Sequence, residues 1–123
     1  MSNEIYDLRS ALEFLKSQQG QLVETDIDAD PNAEIAGVYR YVGGTVPRPT
    51  KKDGPAMLFN NVKGFPNKSV LIGLLASRKR VGMLLNADYK KLGWHLRNAV
   101  NHPILPVVIN TKPMCQEEIY LAS

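Results

Sequence analysis

The residues best suited to chemistry are few, and their spacing fits no reaction centre. Asp26, Asp28 and Asp30, in the string DIDAD, take positions one, three and five of a calcium-binding loop. Such a loop needs glycine at its sixth position and a bidentate glutamate at its twelfth. Pro31 and Gly37 stand there instead, so the aspartates read as the end of a strand feeding a helix cap. His95 and His102 are seven positions apart, two helical turns or about 10 Å along one helix. One metal ion does not bridge that span, and with Cys115 as the sole cysteine there is no CxxC, HxH or HxxxH pair to complete a zinc site. Cys115 cannot form an internal disulfide and is expected to pack as a small apolar group. Ser69 and Ser77 have no histidine nearby and no GxSxG elbow, so they read as turn and cap residues. The string GFPNKS, 64 to 69, lacks the glycine that a phosphate-binding loop places before its Lys-Ser pair. No catalytic, cofactor-binding or metal-binding residue is therefore assigned.

The one basic cluster is SRKR, Ser77 to Arg80, at an expected helix N-terminus, where positive charge opposes the helix dipole. A solvated face is the plain reading, and a phosphate, an acidic neighbour or a partner domain would be the specific one. The excess of 15 basic over 12 acidic residues is too small to imply nucleic acid on its own.

The elements that must position these residues are easier to read. Length and an ordinary globular balance, 123 residues with 44% hydrophobic and 22% charged, give one domain able to bury a core. No run approaches a membrane span and the N-terminus has no signal character, so the chain is expected in the cytoplasm. Asp7 caps a helix carrying Leu8, Leu12 and Leu15, with Gly20 at its end. A half-buried strand follows, with Val23, Thr25 and Ile27 on one side. Asp30-Pro31 is expected to open a second helix with Ile35, Val38, Tyr39 and Val42 on its apolar face, stopped at Gly43-Gly44. PAMLF and SVLIGLL, joined by NNVKGFPNK, read as two central strands. Ser77 caps one helix and Asp88 another, which His102-Pro103 ends. PVVIN and CQEEIYL close the chain as strands. The expected fold is α/β (α+β): a mixed four- to five-stranded sheet flanked by three or four helices. The last strand stops two residues before the chain does, which reads as a boundary between domains.

Several strings together resemble a known family: DPNAEIAGVYRYVGG at 30 to 44, TVPRPT at 45 to 50, GPAMLFNNVKGFP at 54 to 66 and GLLASRKRVG at 73 to 82. With the opening helix and strand, Asp7 to Asp26, and the closing MCQEEIY from Met114, they are similar to the N-terminal region of UbiD-type decarboxylases. The likeness is nearest to the bacterial hydroxyarylic acid, gallate decarboxylase group. It implies that residues 1-123 form the single N-terminal α/β domain of an enzyme that releases CO2 from a hydroxyarylic acid. It further implies that the flavin-binding split β-barrel, which holds prenylated FMN with manganese and potassium, and a C-terminal domain lie outside these residues. A Glu-Arg-Glu catalytic set belongs to those later regions, so the chain alone is expected to be inactive. The implied partner is the flavin-binding domain or an intact decarboxylase chain, with a UbiX-type flavin prenyltransferase as an indirect one and a homo-oligomer open. Domain docking is assigned to Phe65, Arg78, Lys79 and Arg80. Phe65 is expected to be buried against the sheet or against the absent barrel, the second being favoured. A separate accessory subunit and, more remotely, a nucleic-acid binder using Arg78, Lys79 and Arg80 are the alternatives.

Overall fold

A computed structural model describes residues 4–43, 54–111 and 113. The order is α1 (Leu8–Ser17), β1 (Leu22–Ala29), α2 (Glu34–Val42), β2 (Ala56–Val62), β3 (Val70–Ile72), α3 (Arg78–Leu84), a 3-10 turn (Tyr89–Lys91) and α4 (Leu92–Asn101). Among the described residues the sheet has three strands in the order β1-β2-β3. β1 and β2 run parallel, and β2 and β3 antiparallel. The mixed α/β class is as expected, with fewer strands. PVVIN is not a strand: residues 103 to 110 are exposed and lie outside any ladder among the described residues, none of whose strands runs beside them. CQEEIYL lies outside the described residues.

The helix starts show why local chemistry was readable. The Ser10 amide donates to Asp7 Oδ1 at 2.8 Å, while Ser10 Oγ accepts from the Asp7 amide at 3.1 Å. This reciprocal cap satisfies two backbone donors that α1 would otherwise leave orphaned. The bonds favour the ionised carboxylate, and the Asp7 pKa lies below its ordinary value, chiefly through the Ser10 amide. A pKa lowered by folding contributes stability above the unfolded value and loses it as pH falls through the folded one. We therefore expect the N-terminal turn of α1 to fray on acidification below the ordinary aspartate range. In an Asp7→Asn variant amide exchange there should not respond to that pH change.

α2 starts later than expected. Asp30 Oδ1 accepts from the Asn32 amide at 2.8 Å, an Asx turn that commits the Asp30 carboxylate two residues on. Glu34 Oε2 reaches back to the Asp30 amide at 2.6 Å. Pro31 thus opens a turn, and the helix begins only after Ala33, whose φ is 68°. α2 then lays Ile35 and Tyr39 on the sheet, where they join Ala29, Met57, Phe59 and Val62 in the buried core. Phe59, on β2, has no exposed surface. β2 is central, as its continuous apolar run implies. β3 is three half-buried residues at an edge, which corrects the expectation of two central strands.

β1 is only partly the half-buried strand expected. Val23 and Ile27 are exposed, and the register with β2 shifts between Thr25 and Asp28. The two asparagines of NNVKG explain how that irregularity is held. Asn61 donates through its side-chain amide to the Asp26 carbonyl oxygen at 2.7 Å, and Asn60 donates to Asp26 Oδ1 at 2.9 Å. Side-chain amides supply donors where the ladder is broken.

Candidate docking surface

At one end of the sheet the starts of β1 and β2 and the end of β3 come together, as one antiparallel and one parallel pairing require. Their carbonyl groups there need donors, and Arg80 supplies them. Its Nε donates to the Leu74 oxygen and Nη2 to that of Gly73, both at 2.9 Å; Nη1 donates to Gly54 at 3.1 Å and Gln21 at 3.2 Å. Arg80 is fully buried. Ser77 places it there: as N-cap of α3 its hydroxyl accepts from the Arg80 amide at 3.2 Å. Arg80 is thus withdrawn from the assigned docking set and from any nucleic-acid surface, because its five-donor fork is spent on backbone oxygens. Arg78 and Lys79, its neighbours in SRKR, are exposed.

Phe65 stands at the other end of β2. The reversal after that strand is fixed by bonds from the Lys63 amide to Ala29 and from the Phe65 amide to Val62, at 3.0 and 2.9 Å. Gly64 and Asn67 take left-handed φ angles of 80° and 59°, which glycine and asparagine tolerate. Phe65 is 56% exposed, so it is not buried against this sheet. It lines a shallow depression with Asp28, Asn61, Val62, Pro66 and Asn67. A seven-residue strand separates Phe65 from Arg78 and Lys79 by roughly 20 Å, so these residues do not form one patch.

The larger apolar surface was missed in the sequence. α4 runs Leu92 to Asn101 and buries Leu92 alone. Trp94 is 73% exposed with the Arg97 guanidinium 5.9 Å from its ring. Leu96, Val100 and the apolar residues of 104 to 109 are exposed too. The available signal was the run ILPVVI directly after an amphipathic helix. Charge is also segregated along the chain. Residues 4 to 34 hold eight acidic and two basic side chains, whereas 63 to 97 hold eight basic and one acidic.

No three His, Cys, Asp or Glu side chains come together as a metal-holding set among the described residues. Asp26 is engaged by Asn60 and Asn61, Asp30 by Asn32, and His102 Nδ1 lies 3.0 Å from the Asn98 carbonyl oxygen at the end of α4. His95 is exposed; Cys115 lies outside the described residues. No helix among the described residues is long and apolar enough to cross a membrane.

The domain is thus a small mixed sheet tied at one end by a buried arginine, with apolar surface left open on α4. The solved structure of apo 3,4-dihydroxybenzoic acid decarboxylase from Klebsiella pneumoniae matches 85% of this chain and 22% of its own, with a TM-score of 0.77 and 48% identity. The vanillic acid decarboxylase of Sedimentibacter hydroxybenzoicus, solved in open form with truncated ShVdcD, matches 86% of this chain and 22% of its own at a TM-score of 0.68 and 28% identity. The gallate decarboxylase of Lactiplantibacillus plantarum is 51% identical over 111 residues, 89% of this chain and 22% of the relative. The model of the 3-octaprenyl-4-hydroxybenzoate carboxy-lyase N-terminal domain, UbiD_N, matches residues 13–100. The chain belongs to the UbiD family and corresponds to its N-terminal domain. It spans about a fifth of the length of these three relatives, 22% in each case.

Proposed function

We propose that this chain is the non-catalytic N-terminal domain of a UbiD-type hydroxyarylic acid decarboxylase, an α/β unit that serves the reaction by docking. The observation that carries the reading is 51% identity to a gallate decarboxylase over 22% of that enzyme's length. In the reaction of the whole enzyme the aromatic acid loses its carboxyl group as CO2 and gains a proton at the vacated ring carbon. The family resemblance implies prenylated FMN, which supplies an electron sink, with manganese and potassium. The described residues do not fit that group. They assemble no metal-ligand set, and their one buried guanidinium is occupied by backbone oxygens. This chain's own part is therefore to fold, to hold its face open and to seat on the polypeptide that carries the chemistry, in the cytoplasm. A flavin prenyltransferase of the UbiX type would act on that polypeptide's cofactor and touch this domain only indirectly.

Purified as 123 residues, the chain is expected to show no flavin absorbance and to release no CO2 from gallate or protocatechuate. A bound flavin spectrum or turnover by the chain alone would overturn the reading. A second reading is an accessory subunit acting on a separate decarboxylase chain; the vanillic acid decarboxylase structure that this chain resembles was solved together with a further polypeptide, truncated ShVdcD. Co-purification of the 123-residue chain with an intact decarboxylase that already holds its own N-terminal domain would select it.

A further inference from the structure

We draw no further inference here: the strongest candidate, the shallow depression at the end of β2 where the exposed Phe65 lies with Asp28, Asn61 and Asn67, is an open surface patch, and nothing in the structure shows what covers it.

Discussion

Replacing Arg80 by methionine is expected to lower the stability of the domain by roughly 4 kcal/mol, a large share of the 5–15 kcal/mol typical of a native fold. The side chain is fully buried and reaches carbonyl oxygens of Gln21, Gly54, Gly73 and Leu74. Methionine fills much of the volume but donates nothing, so these acceptors lose their donor while water stays excluded. Each buried polar group left in that state costs about 1–3 kcal/mol, and relaxation recovers part of the sum. Lysine at the same position should recover less than half of the loss. Its ammonium is one compact centre, and the four acceptors surround a planar fork. Urea denaturation followed by circular dichroism gives the number directly. A loss under 1 kcal/mol for Arg80→Met would show that the carbonyl cluster finds other donors and that the arginine does not hold the sheet end.

Gly73→Ala is expected to cost about 3 kcal/mol, for two separable reasons. Gly73 has a φ of 75°, a left-handed conformation that costs a residue with a Cβ about 1–2 kcal/mol. A methyl group there would also meet the Tyr39 ring and hydroxyl. The Tyr39 hydroxyl is buried with no hydrogen-bond partner among the described residues, so Tyr39→Phe should be neutral or slightly stabilising. A cycle of Gly73→Ala with Tyr39→Leu isolates the clash. The double variant should be more stable than the sum of single losses predicts by about 1.5 kcal/mol, and what persists is the backbone cost. Strict additivity would mean that Tyr39 and the new methyl do not meet. The same substitution disturbs the Gly73 oxygen, an Arg80 acceptor at 2.9 Å, so both variants act on one end of the sheet.

Features governed by neighbours in the sequence were legible. Asp7, Ser77 and Asp88 each accept a backbone amide where an N-cap was expected, and α4 stops at His102 before Pro103. β2 was readable because an unbroken apolar run needs cover on both faces. Features set by distant groups were not. SRKR has the composition of a solvated face, yet one of its three cations is buried because three strand ends gather beside it. That gathering follows from the parallel β1-β2 pairing, which one sequence does not display. PVVIN has strand composition, but a strand exists only beside another strand. For the candidate docking surface, Phe65, Arg78 and Lys79 are exposed, while the broader apolar stripe on α4 was not singled out, because helical periodicity alone does not tell a covered face from an open one.

The parallel pairing of β1 with β2 also bears on how fast this domain assembles. Asp26 and Asn60, which meet across it, are 34 positions apart, and no hairpin can zip such strands together from a turn. The closing of that long loop must precede the contacts that reward it. Gln21 and Arg80, 59 apart, come together later still. Arginine variants should then leave the refolding arm of a chevron nearly unchanged and steepen the rate of escape from the native state, making Arg80 a latch on lifetime more than a guide to the fold.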